Sequence, residues 1–230
     1  MKVLQYSKRE GVYQKEKRSA IYKSENERFM VACMTMDEKI NNLSEETVKK
    51  IGSFVSDYLF LLGEDIFEFS EKKISFLIVE QILYDFKKLL VSENLPNENF
   101  EKSLLFCFVD KQELRVMFFN LKGGAVFISD EDRCKLVLSP NVENMGFLFS
   151  GSQAFKLAKI KIQDIKIGET ILLCSKDFYG LMGEREGEMM IKEALKAENF
   201  DGLRDYLEMQ DDNADYSFIF ITNIRSHRNH

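Results

Sequence analysis

The sequence predicts an α+β protein in which helices pack on the outside of β-sheets. Three observations support this fold class. Short apolar strands occupy residues 2–36, two long amphipathic helices follow them, and from residue 103 the pattern returns to strands, with more helices before the last strand. Because 230 residues without repeats or a Pro/Gly-rich linker fit one core, we expect a single domain over 1–230, with 225–230 as a frayed tail.

The first half of the chain predicts a buried strand followed by two helices. Residues 29–34 form a continuous apolar run of the kind that a buried strand has. Ser44 is the predicted N-cap of a helix that runs to Leu62, and Gly63 suits its C-terminal end. A second amphipathic helix is predicted over 71–91. We expect both helices to lie flat on the strands that follow.

The second half predicts strands joined by short polar links, then helices and a final strand. The spacing of the links indicates an antiparallel meander, in which Lys122-Gly123-Gly124 is a hairpin turn. The predicted strands are 104–109, 114–120, 125–129, 134–138, 156–162, 170–175 and 217–221. The predicted helices are 187–197 and 200–209.

Charge and hydropathy limit the partners of the protein. The formal net charge is −6 and no basic block occurs, so neither nucleic acid nor an anionic membrane is an expected partner. No apolar run reaches the roughly 18 residues that span a membrane, and the first residues lack the apolar core of a signal peptide. We therefore expect a soluble, cytoplasmic protein whose partner is another protein or a phosphoprotein. Its oligomeric state does not follow from the sequence.

Histidine and cysteine narrow the possible chemistry. The two histidines, His227 and His230, lie in the polar tail, which argues against catalytic triads and His-ligated metals. The four cysteines stand far apart, so we expect buried reduced thiols rather than a zinc site or disulfides. They are Cys33, Cys107, Cys134 and Cys174. Catalysis would have to use carboxylates, Lys or Arg, a thiol or a bound metal ion.

Two acidic residues stand next to apolar strands in the last third of the chain. Asp177 follows the run 171–175, and Asp212 precedes the run 217–221. Carboxylates at the ends of rigid strands commonly hold hard cations, which prefer oxygen ligands. The alternative is a turn or cap role, since Asp forms local hydrogen bonds in such positions.

These segments resemble motifs of the metal-dependent type-2C serine/threonine protein phosphatases, in particular compact bacterial members. Residues 168–175 are similar to the family's Gly-Asp-x-hydrophobic-Leu-Leu-Cys-Ser strand, and Asp212-Asn213 is similar to its closing Asp-Asn motif. The resemblance covers residues 11–224 and implies a four-layer α-β-β-α sandwich. It also implies a two-metal centre at one edge, with Mn²⁺ or Mg²⁺, where a metal-bridged water attacks the phosphoryl group.

Several ligand positions of that family carry other residues in this chain. Residues 29–32 are similar to the strand that runs into Asp-Gly-x-Gly-Gly, but Cys33 stands in the place of the bridging Asp, and the next acid is Asp37. Lys176 separates Asp177 from its strand. The segment 119–128 is similar to the one that carries Gly-Asp-Ser-Arg, without the Asp and the Arg.

The N-terminal motif Arg-x-x-Asn-Glu-Asp also lacks a full match. It should fall within residues 14–20, where Glu16 is the acid that could approach the site and Arg18 is the candidate for binding phosphate. A thiol such as Cys33 is too soft to replace a carboxylate for Mn²⁺ or Mg²⁺. We therefore expect one weak cation site at most, with Asp177 and Asp212 as its ligands, or no metal.

Two functional hypotheses follow from the resemblance. In the first, the metal centre is partly lost, and the protein is a weakly active or inactive phosphatase that serves as a binding or regulatory module in phospho-signalling. In the second, the protein is an active Mn²⁺- or Mg²⁺-dependent phosphoprotein phosphatase with shifted ligands. Those ligands would be Glu16, Asp37, Asp177 and Asp212. An unrelated α+β interaction domain is a third option.

Overall fold

The fold is seen in a computed structural model, which describes residues 1–7, 19–37, 45–92, 102–121, 124–130, 133–140, 158–197, 200–210, 214 and 216–222. The strands of this part are β1 (Lys2–Ser7), β2 (Ser19–Glu25), β3 (Phe29–Asp37), β4 (Lys102–Asp110), β5 (Arg115–Leu121), β6 (Ala125–Ser129), β7 (Cys134–Leu138), β8 (Ala158–Asp164), β9 (Thr170–Cys174) and β10 (Ser217–Thr222). The helices are α1 (Glu45–Leu62), α2 (Glu71–Ser92), α3 (Lys176–Leu181), α4 (Arg185–Ala197) and α5 (Phe200–Glu208), with a 3₁₀ turn (Gly63–Glu68) between α1 and α2.

The strands form two five-stranded antiparallel sheets. One sheet has the order β1-β10-β9-β6-β7, and the other has the order β2-β3-β4-β5-β8. The two sheets face each other across a core that includes Leu105, Leu173 and Ile219. Such a core forms because alternate side chains of each strand point to opposite faces of its sheet.

Helices cover the outer faces of both sheets. α1 and α2 pack on the β3 sheet through an apolar cluster that includes Leu59 and Phe106. α3, α4 and α5 pack on the β9 sheet through a cluster that includes Leu172, Phe178 and Leu203. The structure therefore confirms both the α+β class and the four-layer α-β-β-α sandwich.

The sequence predicted most helices within two residues. α1 ends at Leu62, and Gly63 has a φ of 55°, a left-handed conformation that glycine adopts at little cost. α2 extends one residue beyond its predicted end. The short helix α3 was not predicted, because six residues are too few to show a helical period.

The predicted meander is wrong at one step. β4–β5 and β6–β7 are antiparallel pairs as predicted, but β5 and β6 do not pair, so Lys122-Gly123-Gly124 does not join the two strands of a hairpin. β5 pairs with β4 and β8, whereas β6 pairs with β7 and β9 in the other sheet, so the chain crosses between sheets after Leu121. Short polar links suit a hairpin and a crossover equally well. Both β5 and β6 are buried on both faces, so their side-chain pattern does not reveal which sheet each one joins.

Strand termini of both sheets lie together at one end of the sandwich, which we call the Asp177 end. In the β3 sheet, the cross-strand row near this end is Thr35, Leu104 and Leu121. In the β9 sheet, the corresponding row is Ala125, Cys174 and Phe218. The two rows lie at the same end because only residues 122–124 join Leu121 to Ala125, a link that spans at most about 14 Å.

The opposite end, which we call the Arg28 end, is held by ion pairs between turns. Arg28 donates to Oδ2 of Asp110 at 3.1 and 2.8 Å, and its Nη2 lies 2.6 Å from Oε2 of Glu64. Oδ1 of the buried Asp110 accepts the backbone N–H groups of Gln112 and Glu113 at 2.9 and 3.1 Å. These bonds join two strand turns to the 3₁₀ turn that connects α1 and α2.

Candidate metal site at the Asp177 end

Asp177 lies directly after β9, in the first turn of α3, and its side chain is exposed. Ser175 is the N-cap of α3, and its Oγ accepts the backbone N–H of Phe178 at 3.4 Å. A helix begins here because a serine at this position satisfies one of the N–H groups that the first turn leaves unpaired. The exposed carboxylate of Asp177 can therefore reach a ligand in solvent.

Ser175 also ties the start of α3 to the start of β10. Its Oγ accepts the backbone N–H of Ser217 at 3.1 Å, and its own N–H donates to the carbonyl of Ser217 at 2.9 Å. Both serines are buried. Asp212 precedes Ser217 by five residues but lies outside the described residues, so its predicted role with Asp177 stays a prediction.

The other predicted site residues are described in part or not at all. Asp37 is the last residue of β3, opposite Lys102 of β4, at the Asp177 end, and only its backbone is described. Glu16 and Arg18 lie outside the described residues. The structure therefore brings the backbone of Asp37 and the side chain of Asp177 to the same end of the sandwich.

Cys33 lies in the middle of β3, where β4 pairs with every residue of the strand and β2 pairs with residues 30–36. Its side chain is only 1% exposed and belongs to the apolar cluster between the β3 sheet and helices α1 and α2. Burial raises the pKa of its thiol far above the ordinary value, and the neighbouring thiol of Cys107 makes a smaller contribution in the same direction. Cys33 is thus a protonated core residue that faces the helices.

The remaining cysteines agree with the expectation of buried reduced thiols. All four are free, and burial raises the pKa of Cys107 to about 12 and also raises the pKa of Cys174. Cys134 on the edge strand β7 is half-buried, and desolvation raises its pKa as well. A raised pKa leaves little thiolate at neutral pH, which argues against a nucleophilic role.

Asn120 is a polar residue at the Asp177 end that the sequence prediction missed. It is 1% exposed, next to the last residue of β5, on the strand face that also carries Phe118. Its Nδ2 donates to the carbonyl of Gly124 at 2.6 Å and to that of Ser139 at 3.3 Å, so it links the two sheets. A single amide in an otherwise apolar buried strand was the signal that could have revealed it.

The described residues provide hard oxygen donors, but too few for a two-metal centre. In the described ranges no group of three or more His, Cys, Asp or Glu side chains could hold a metal ion. Asp177 contributes an exposed carboxylate, and Oδ1 of Asn120 is a buried oxygen without a hydrogen-bond partner among these residues. Both oxygens are of the type that Mn²⁺ and Mg²⁺ prefer, and two such donors without further ligands would hold an ion only weakly.

Comparisons with known proteins identify the fold. Neither the protein-family models nor the curated protein sequences give a match to this chain. A mutant form of a bacterial serine phosphatase has a TM-score of 0.69 and 13% sequence identity, over 97% of this chain and 98% of that one. The Mycobacterium tuberculosis serine/threonine phosphatase PstP has a TM-score of 0.61 and 9% identity, over 97% and 98%. RsbX in complex with magnesium has a TM-score of 0.58 and 10% identity, over 95% and 92%.

The structural neighbours are type-2C serine/threonine phosphatases, and this chain has their fold of two antiparallel sheets between helices. The resemblance in sequence motifs is thereby confirmed for the fold. At such low identities the activity has to be argued from the site. Within the described part of the chain, no helix combines the length and the hydropathy needed to cross a bilayer.

Proposed function

We propose that this protein is a type-2C phosphatase-fold module that is weakly active or inactive as an enzyme and acts by binding a protein or phosphoprotein in phospho-signalling. The observation that carries this proposal is the environment of Cys33. It stands where the family resemblance places the metal-bridging Asp, yet it is buried beneath α1 and α2 in an uninterrupted strand. A thiol in this position supplies no oxygen ligand to a metal.

The fold can persist without the metal centre because its stability comes from elsewhere. Within the described residues, neither the three apolar cores nor the ion pairs at the Arg28 end include a predicted ligand carboxylate. Burial of apolar surface contributes roughly 25 cal/mol per Å² whether or not the site binds metal. Loss of ligands would therefore leave a folded surface that can still bind a partner.

The alternative is an active Mn²⁺- or Mg²⁺-dependent phosphoprotein phosphatase. One observation favours it: β3 and β9 both finish at the Asp177 end, which brings Asp37 and Asp177 to the same edge of the sandwich. Its proposed ligands are Glu16, Asp37, Asp177 and Asp212. The magnesium in the RsbX structure supports the choice of a hard divalent cation for this site.

Phosphatase assays and calorimetry with Mn²⁺ test the two proposals together. We expect Mn²⁺ to bind weakly, with a Kd on the order of 1 mM, and to produce no turnover of an aryl phosphate or a phosphopeptide above background. Asp177→Asn and Asp212→Asn should then leave the background rate unchanged. The matched control is Asp164→Asn, which removes an exposed carboxylate at the Arg28 end.

Robust turnover that requires Mn²⁺ and disappears in Asp177→Asn and Asp212→Asn, but not in Asp164→Asn, would establish the active enzyme and overturn the first proposal. Turnover that persists in both site variants would show that the measured activity arises outside this centre. Binding of a phosphopeptide without its hydrolysis, measured by calorimetry, would support the binding module.

A further inference from the structure

We propose that Oδ1 of Asn120 is an oxygen ligand of a single divalent cation at the Asp177 end. The inference rests on the proposed function, because it names an oxygen donor for a metal centre that has lost part of its ligands. Asn120 lies in the segment 119–128 that resembles the Gly-Asp-Ser-Arg segment, but the resemblance assigned no role to this residue.

The orientation of the Asn120 amide is fixed by its nitrogen. Nδ2 donates to the carbonyls of Gly124 and Ser139, at 2.6 and 3.3 Å. Exchange of oxygen and nitrogen would place Oδ1 against two carbonyl oxygens, so the assignment of the two atoms follows from the hydrogen bonds. Oδ1 is then committed to a position in which no described residue donates to it.

Three buried side-chain oxygens of the described residues have no partner, and Asn120 differs from the other two. Ser75 on α2 and Thr222 at the Arg28 end are hydroxyls, which can rotate and can either donate or accept. An amide oxygen can only accept. A buried acceptor that cannot change its role is costly to leave unpaired, so it indicates a bound cation or donor.

The position of Asn120 favours a cation at the candidate site. Gly124, whose carbonyl accepts Nδ2, directly precedes Ala125, and Ala125 lies opposite Cys174 at the end of β9. Asp177 follows three residues after Cys174. The amide oxygen and the carboxylate thus lie at the same end of the sandwich, and amide and carboxylate oxygens are both ligands that hard divalent cations prefer.

One cationic side chain nearby offers a competing explanation. Lys159 of β8 is the cross-strand neighbour of Asn120, and its Nζ lies 3.4 Å from Oγ of Ser139. The ammonium group of Lys159 is therefore an alternative partner for Oδ1. The experiment therefore has to separate a metal ion from Lys159.

The test measures Mn²⁺ affinity by calorimetry, and the melting temperature with and without Mn²⁺. Asn120→Asp keeps an oxygen in the place of Oδ1 and adds a charge, but its second oxygen replaces Nδ2 and faces the carbonyls of Gly124 and Ser139, so we expect a lower melting temperature without metal. Because ligand charge sets the affinity for such cations, we expect Mn²⁺ to bind to this variant about tenfold more tightly than to the natural protein. Mn²⁺ should also raise the melting temperature of this variant more than that of the natural protein. Asn120→Leu should weaken Mn²⁺ binding at least tenfold.

Thr222→Val is the matched control, because it removes an equally buried, unpartnered oxygen at the opposite end. Its Mn²⁺ affinity should equal that of the natural protein. Unchanged Mn²⁺ affinity in Asn120→Asp would overturn the inference. So would a higher melting temperature of Asn120→Asp without metal that is lost in the Lys159→Gln background, because Lys159 would then be the partner.

Failure of this inference can be told apart from failure of the proposed function. Robust Mn²⁺-dependent turnover by the natural protein would contradict the reduced centre, while the affinities of the Asn120 variants would still decide the role of Oδ1. Conversely, absence of any Mn²⁺ binding at millimolar concentration in both the natural protein and Asn120→Asp would overturn this inference and leave the binding module intact.

Discussion

At position 33, the packing of β3 determines what the side chain can do. Cys33 shares its cluster with Val31 and Phe106 under the helices, while Met34, its neighbour, faces the interior between the sheets. Alternation along a strand means that a residue at position 33 cannot face the sandwich interior without a shift of the whole strand register. The direction of the side chain at position 33 is therefore set by the register of β3 and not by the candidate metal site.

We expect Cys33→Asp to be strongly destabilising and to give no gain in Mn²⁺ affinity. A carboxylate in this cluster would be buried without a partner, which costs several kcal/mol, whereas Cys33→Ala leaves a small cavity and costs about 1 kcal/mol. Denaturant unfolding measures both free energies, and calorimetry measures the affinity. A stable Cys33→Asp protein that binds Mn²⁺ more tightly would show that position 33 still faces the metal site.

The contact between α1 and β2 is close enough to require glycine. A Cβ atom at Gly52 would lie 2.3 Å from Cγ of Tyr22 and 2.6 Å from its Cβ, too near for any carbon contact. The atoms involved are at the base of the ring, so the tyrosine cannot move aside without a shift of β2. At this position the packing of the helix on the sheet prevails over helix propensity.

We therefore expect Gly52→Ala to lower the free energy of unfolding by about 1–3 kcal/mol, although alanine is the better helix former. Gly180→Ala in α3 is the matched control, because a Cβ there meets nothing within 4 Å. This second variant should be stabilising by about 0.5–1 kcal/mol. Equal effects of the two substitutions in chemical denaturation would contradict the close approach of α1 to Tyr22.

The elements differ in how far the sequence could predict them. α1 and α2 were predicted correctly because many apolar residues repeat with a helical period and Gly63 marks the end of the first. The assignment of β5 and β6 to one meander was wrong because a short link carries no information about which sheet comes next. Pairing between strands is decided by long-range contacts that no local pattern contains.

For the site, the sequence could predict the carboxylates but not their surroundings. Asp177 stands out because an acid next to an apolar strand is easy to recognise, and the structure does place it at a sandwich edge. Asn120 went unnoticed, since its importance arises from Gly124 and Ser139, which belong to the other side of a crossover. A binding site assembled from several connections becomes visible only when the fold brings them together.

At the scale of the whole molecule, each of the three apolar cores contains one fully buried thiol. These thiols are Cys33, Cys107 and Cys174. Burial raises the pKa of each, and that of Cys107 reaches about 12. In the unfolded chain a thiol has a pKa of about 8.5. The folded protein therefore binds protons at alkaline pH that the unfolded chain releases.

This difference predicts a loss of stability at alkaline pH. Below about pH 8.5 the thiols are protonated in both states, and their contribution to the free energy of unfolding is fully present. Above that pH the thiols of the unfolded chain ionise first. The free energy of unfolding then falls by about 1 kcal/mol per pH unit for each thiol, until the pH passes the pKa of that thiol in the folded protein. Denaturant unfolding between pH 7 and 10 measures the slope, which Cys107→Ala should reduce by one thiol's share. Substitution of the half-buried Cys134 should reduce it less. Parallel curves for the natural protein and Cys107→Ala would mean that the interior between the sheets admits the thiolate, contrary to the packing described for that core.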